Sequence, residues 1–226
     1  MLRKTKGIVV NYIKYRDSSI ITRVFTCELG MKTYIVNGVR SPKSKTKMAH
    51  YQPLTLLDLV VYEKESASIN RIAEAKLAHA FQRIPFDFYR SGIAMFMGEV
   101  LSKVVYDDYQ NESLFDFLWS TICLLDSKDY HRSTFILAFL SKASRFLGFE
   151  PEGSADFFGQ LPQDNAGLDF RLKVTHMDQL MEMGFECRKI PQDIRKALLD
   201  DWLLFYKVHI ESFGDLKSIQ ILRSLT

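Results

Sequence analysis

The sequence predicts an α+β chain: a small N-terminal β-barrel of the OB type followed by an all-α helical domain. Three observations carry the prediction. The first eighty residues are short runs rich in β-branched and aromatic side chains, separated by polar pieces of turn length. After Pro85 the apolar residues recur at helical spacing instead. A length of 226 residues, 47% apolar and 25% charged, is enough to bury a core without metal or disulfide support. The expected division is a barrel over 1–80 and a helical domain over 81–226, with a loop-rich insertion around 149–175.

Strands are expected over 7–13 and 19–25, joined by the polar piece Lys14-Tyr15-Arg16-Asp17-Ser18. Glu28-Leu29-Gly30 supplies the next turn and 32–37 the third strand. A polar, proline-containing loop follows, then strands over 53–62 and 69–75. Five short strands with a long connection after the third fit an OB barrel, and the pattern fits an SH3-like barrel as well.

Helices are expected over 86–105, with Pro85 in the first turn, over 112–127, capped by Asn111 or Ser113, and over 132–147, stopped by Gly148. The stretch 149–165 reads as loop, 175–183 as a short helix, 191–210 as a long one and 216–225 as a last turn or two.

The net charge of +3 conceals an asymmetry. Residues 1–50 hold eleven Lys or Arg against two acids, a net of +9, while the remaining 19 bases and 25 acids give −6. Such segregation creates a local positive field and implies an acidic partner for the N-terminal part. Four of these cations, Arg40, Lys43, Lys45 and Lys47, fall within the ten residues 38–47.

Enzymatic and metal chemistry find little support. Cys27, Cys123 and Cys187 lie 96 and 64 residues apart, outside any zinc-ligand spacing, and their odd number suits a reducing compartment. No P-loop, dinucleotide fingerprint or nucleophile elbow is present. Asp107-Asp108 and Asp200-Asp201 read as solvated charge; a magnesium-dependent nuclease built on Asp107 and Asp108 is the enzymatic alternative. The N-terminus has basic residues but no apolar h-region, and the longest apolar run, Phe135–Leu140, is too short to span a bilayer. A soluble cytoplasmic protein without a cofactor is expected.

A lone lysine is most simply a solvated surface residue, but here cations from several strands and turns converge on one small domain. Lys14 and Arg16 fall in a hairpin loop, Arg23 and Lys32 on strands, and Arg40, Lys43, Lys45 and Lys47 in the long loop. Small barrels present such loops beside a strand face that binds oligonucleotides, and Lys and Arg meet phosphates without regard to sequence. Tyr12, Tyr15, Tyr34 and Tyr51 lie among the cations, where a ring can stack on a base at about 1–3 kcal/mol each; alternation sends some of them to the core instead. Arg132, Lys142 and Arg145 border the apolar helix 132–147, most simply an amphipathic core helix with ordinary surface cations; the alternative is a groove for a peptide with an apolar residue and a terminal carboxylate.

Three stretches carry a family resemblance: T-K-G-I-V-V-N-Y-I-K-Y-R-D-S-S-I-I from Thr5, E-L-G-M-K-T-Y-I-V-N-G-V-R-S-P-K-S-K from Glu28, and Y-Q-P-L-T-L-L-D-L-V-V-Y from Tyr51. Together they resemble the RecO family of bacterial DNA repair proteins. The resemblance implies an N-terminal OB-fold, a helical C-terminal domain and a recombination mediator. Such a mediator binds single- and double-stranded DNA, anneals complementary strands, works with RecR and recognises the acidic C-terminal tail of single-stranded DNA-binding protein. It also implies DNA-binding roles for Gly38, Arg40, Lys43 and Ser44 of the loop and Arg16 of the hairpin. Many relatives carry four cysteines as a zinc module after the third helix, where this chain has Phe149-Glu150-Pro151-Glu152-Gly153. The insertion is therefore expected to be metal-free and held by Phe157, Phe158, Leu161 and Phe170.

A rival of another class is a protein-interaction scaffold whose basic loop meets an acidic protein surface. A salt series separates it from DNA binding, because counterion release makes the affinity for a polyanion fall steeply.

Overall fold

The computed structural model describes residues 1–41, 48–64, 67–162 and 170–225. Five strands, β1 (Leu2–Tyr15), β2 (Ser19–Thr26), β3 (Gly30–Val36), β4 (Leu56–Tyr62) and β5 (Asn70–Leu77), close into a barrel in the order β1-β2-β3-β5-β4. Neighbours are antiparallel except β3 and β5, which run parallel through Tyr34↔Asn70 and Ile35↔Arg71. That order with its parallel closure is the OB arrangement.

The first strand is twice the expected length because it has two partners. Its first half, Leu2–Ile8, pairs with β4, while Gly7–Tyr15 pairs with β2. The change of partner requires the strand to coil. It does so at Gly7, where a Cβ would lie 2.7 Å from side-chain carbons of both Leu59 and Val24, and through a register shift between Val9 and Asn11. The interior is filled by Val9, Ile20, Val24, Tyr34, Leu57, Leu59 and Val61, with Val39 and Tyr51 added from the connections.

Helix α1 (Phe88–Val104) begins later than the sequence suggests, since Pro85 lies in a separate 3-10 turn, Ile84–Phe86. Asp87 is the cap, its carboxylate accepting from the N–H groups of Tyr89 and Arg90. Asn111 caps α2 (Glu112–Asp126), its Oδ1 accepting from Leu114 N at 2.8 Å. The barrel, these two helices and Leu216–Leu222 form one compact unit; Ser127–Asp215 with the chain end from Arg223 forms the other.

In the second unit α3 (Phe135–Leu147) ends at Gly148, whose φ of 85° is the left-handed stop that glycine favours. A short helix, α4 (Ser154–Gly159), occupies part of the stretch read as loop, because Phe157 and Phe158 turn into the core of an otherwise polar segment. Then come α5 (Phe170–Met183), longer at its start than the expected 175–183, and α6 (Gln192–His209). The extra turn of α5 carries Lys173, buried 2.6 Å from Asp201 and over the Phe158 ring, a tertiary partnership that linear spacing does not reveal. Leu161 is buried as well, whereas Phe170 is half exposed and touches the cluster through the Phe158 ring. The last helix is α7 (Ser218–Leu225). Among the described residues no helix is long and apolar enough to cross a membrane.

Candidate nucleic-acid interface

Cations read from two separate stretches of sequence meet at one end of the barrel. The β1–β2 turn places Arg16 at a φ of 50°, outside the sheet ladder and exposed. After β3 the chain turns at Gly38, φ 69°, and sends Val39 into the barrel interior. No heavy atom lies within 4 Å of where a Cβ of Gly38 would be, so glycine is needed there for the backbone angle and not for space. Arg40 then fastens this loop to the turn: its N–H donates to Ser18 O at 2.9 Å, and its Nη1 donates to Arg16 O at 3.2 Å.

Lys14 is exposed on the last turn-ward residues of β1, and the Arg16 guanidinium lies 5.1 Å from the centroid of the Tyr15 ring. No ion pair among the described residues takes up Lys14, Arg16 or Arg40. Two exposed cations, the half-buried Arg40 and a half-buried ring thus share one rim. Lys43, Ser44, Lys45 and Lys47 lie outside the described residues.

The two strand cations differ. Arg23 of β2 donates to the carbonyls of Ser102 and Val105 and to Asp107 Oδ1 at 3.0 Å. Lys32 of β3 lies 2.6 Å from Asp108 Oδ1. The expectation of free strand cations is thereby corrected: the segment after α1 runs along β3, exchanging Met31 N→Tyr109 O and Asp108 N→Met31 O, and this brings both carboxylates to the barrel surface. Gly30 permits the approach, since a Cβ there would sit 2.4 Å from Tyr109 O. Asp107 and Asp108 are accordingly paired with cations.

Tyr34 is a second correction. It is 1% exposed and part of the barrel interior, so its ring cannot stack on a base. Burial, with a smaller contribution from Glu63, pushes its hydroxyl well above the ordinary tyrosine range. Tyr51 is buried in the same interior and is pushed up to about 12 by burial alone. Tyr12 and Tyr15 are the half-buried pair that remain at the surface.

The helical unit contains a groove of about 420 Å³ between α3 and α6. Ile136, Leu137 and Leu199 give it an apolar floor; Arg132, Arg195, Lys196 and Arg223 place cations around it, with Asp200 paired to Arg223. Of the three residues the sequence suggested for a groove, only Arg132 lines it. Lys142 reaches the other way and donates to Met181 O at 3.0 Å, closing the end of α5, while Arg145 faces Glu150 at 3.8 Å on the surface. The residues missed were Arg195 and Lys196. Their signal was present: adjacent cations one turn before Leu199 on the long helix expected over 191–210.

No group of three His, Cys, Asp or Glu able to hold a metal ion occurs among the described residues. The Cys187 side chain is buried, and Thr134 Oγ1 donates to its carbonyl.

Comparison with known proteins matches both parts of the chain. The family model "Recombination protein O N terminal" matches residues 1–81, and "Recombination protein O C terminal" matches 85–192. A protein of Phocaeicola vulgatus named DNA repair protein RecO is 32% identical over 243 residues, covering 100% of this chain and 99% of the relative. The protein of that name from Bacteroides fragilis is 31% identical over 240 residues with the same coverage. That of Flavobacterium psychrophilum is 30% identical over 98% of both chains.

Proposed function

The chain belongs to the RecO family of DNA repair proteins, and from that premise we propose that it is a recombination mediator that binds DNA and catalyses no covalent chemistry. DNA of either form, single- or double-stranded, meets the barrel rim through Lys14, Arg16 and Arg40, with the loop cations Lys43, Lys45 and Lys47 and the Ser44 hydroxyl joining them. The observation that carries this reading is the pair of hydrogen bonds by which Arg40 holds its own loop against the Arg16 turn. They bring positive charge from distant sequence positions together, and among the described residues no ion pair takes it up.

Annealing follows from the same charge. Two complementary strands repel through their phosphates, and a rim that neutralises part of both backbones lowers that repulsion. Phosphate contacts are indifferent to sequence, as annealing of arbitrary strands requires. Work of this kind belongs on the chromosome, in the cytoplasm and at the nucleoid.

Replacing Lys14, Arg16 and Arg40 together by Glu tests the reading. With a short single-stranded oligonucleotide, the slope of log affinity against log salt should become shallower by about 2, from about 0.7 per lost phosphate contact. Annealing should fall in parallel; unchanged affinity and slope would count against the rim.

The groove of the helical unit supports protein partners. Its apolar floor and cationic border suit an acidic peptide that ends in an apolar residue and a carboxylate, the character of the single-stranded DNA-binding protein tail. RecR is the second partner proposed, on family grounds. Leu199→Glu should abolish capture of an immobilised tail peptide while leaving DNA affinity unchanged; full capture by the variant would remove the groove from the reading.

A further inference from the structure

We infer that the β2–β3 surface of the barrel is a second, masked contact for nucleic-acid phosphates, with the Asp107 and Asp108 carboxylates standing where phosphates bind. This rests on the reading that the barrel binds DNA, and adds a site which that reading leaves occupied.

The mask is built asymmetrically. Arg23 is fixed from below by the carbonyls of Ser102 and Val105, so its guanidinium keeps its place whatever happens to Asp107. Asp107 and Asp108 themselves are 70% and 77% exposed in their side chains, while their cations are only about a quarter exposed, at 24% and 22%. The acids are thus on the solvent side of the cations, the position an incoming phosphate would take. An ion pair with one partner so exposed is weak and screened by salt. Exchange needs only rotation of the two Asp side chains, because the backbone of 108 and 109 is pinned separately to Met31.

Room for the ligand is present. A polar cleft of about 200 Å³ opens beside the pair, lined by Lys32, Thr33, Ala67, Ser68, Asp107 and Asp108. Location supports the same ligand. Arg23 is four residues from Ser19 along β2, and Lys32 four residues from Val36 along β3, so both lie about 13 Å from the open rim at about 3.3 Å per residue. Along the axis of B-form DNA that interval spans about four phosphates of one strand, at about 3.4 Å per charge. The rim and the masked pair are therefore two points on one phosphate track. DNA held at the rim lies along the second point and gains its two contacts only when the carboxylates no longer hold the cations.

The test removes the mask without disturbing its shape. Asp107→Asn with Asp108→Asn should bind single-stranded oligonucleotide about threefold to tenfold more tightly than the unaltered chain at the same salt. Its salt slope should be steeper by about 1.4, two phosphate contacts at about 0.7 each. Lys32→Gln should change affinity little in the unaltered chain but cancel about half of the gained slope in the unmasked one. Unchanged affinity and slope in the Asn variant, with the unaltered chain still binding through Lys14, Arg16 and Arg40, overturns the mask and leaves the rim standing. An unaltered chain that does not bind DNA at all overturns the rim first. If the double variant does not fold, Asp108→Asn alone carries the test at half the size.

Discussion

The two compact units fasten their parts by different chemistry. In the barrel unit charged side chains tie backbone to backbone. Asp126, 3% exposed, accepts from the N–H groups of Gln82, Arg83 and Ile84 at 2.8–2.9 Å; Glu99 accepts from Lys217 and Ser218; Arg23 donates to two carbonyls. In the helical unit, beside the buried Lys173–Asp201 pair, most ties are rings: Phe157 lies 4.6 Å from both Trp202 and Phe205, and Phe149 stands edge-on to Tyr206 at 4.9 Å. A joint of carboxylates and N–H groups is sensitive to pH and tolerant of volume changes. An aromatic joint is the reverse. The chain has two tryptophans, Trp119 in the first unit and Trp202 in the second, so each unit reports its own unfolding once the other tryptophan is replaced by Phe.

The largest effect should come from the aromatic joint. Phe157→Ala empties the centre of the helical unit, and a fully buried Phe replaced by Ala costs about 3–5 kcal/mol. Urea unfolding of the Trp119→Phe chain, read through Trp202, should show that loss equally at pH 7 and pH 5. A small or strongly pH-dependent loss would erase the contrast between the units.

Asp126→Ala should come next, at about 3 kcal/mol, since the buried N–H of Ile84 and the half-buried ones of Gln82 and Arg83 lose their charged acceptor. Burial by itself raises the Asp126 carboxyl, but the N–H donors with His79 outweigh it and hold the group below the ordinary aspartate value. Glu99 is held down in the same way by Ser218 and Lys217 against its own burial. Because these folded carboxyls titrate below their unfolded counterparts, their contribution is complete above the unfolded values of about 4 and is lost as pH falls through the folded ones. The difference between the unaltered chain and Asp126→Ala, read through Trp119, should therefore shrink from about pH 5 downward. A difference that stays constant to pH 2 would show that Asp126 acts by packing alone.

How legible each unit was in sequence follows from the same chemistry. Alternation and turn residues made the five strands readable, and Asn111 and Gly148 marked their helix ends, because these signals act within a few residues. The closure order was not readable: the parallel β3–β5 contact depends on a register between residues 36 apart, Tyr34 and Asn70. The candidate site divided likewise. Arg16 and Arg40 could be named as cations of a shared end because both fall in turns, where exposure is the rule. Arg23, Lys32 and Tyr34 could not be sorted, since a strand position states which face a side chain takes but not what covers that face. For Tyr34 it is the barrel interior, and for the two cations a pair of acids more than seventy residues away.

A smaller effect sharpens the picture of the helical unit. Lys142→Met keeps the aliphatic stem that lies against Gly184 but removes the ammonium that closes the Met181 carbonyl. Loss of one charged hydrogen bond at a half-buried helix end should cost about 1–2 kcal/mol, with peptide capture unchanged. A variant as stable as the unaltered chain but unable to capture peptide would return Lys142 to the groove.

Arg145→Gln should have the smallest effect. The guanidinium is 71% exposed and only loosely placed against Glu150 at 3.8 Å, and exposed pairs of this kind contribute about 0–0.5 kcal/mol. Its position on the last turn of α3 adds a favourable interaction with the helix C-terminus of similar size, which Gln would lose. Both contributions are screened by salt, so any stability difference measured at low ionic strength should vanish near 0.5 M, beyond the Debye length of surface charges. Groove binding should not change at either salt. An acidic peptide that lost affinity for Arg145→Gln at low salt, with Arg132 intact, would mean that the recognition surface extends along α3 well past the floor formed by Ile136, Leu137 and Leu199.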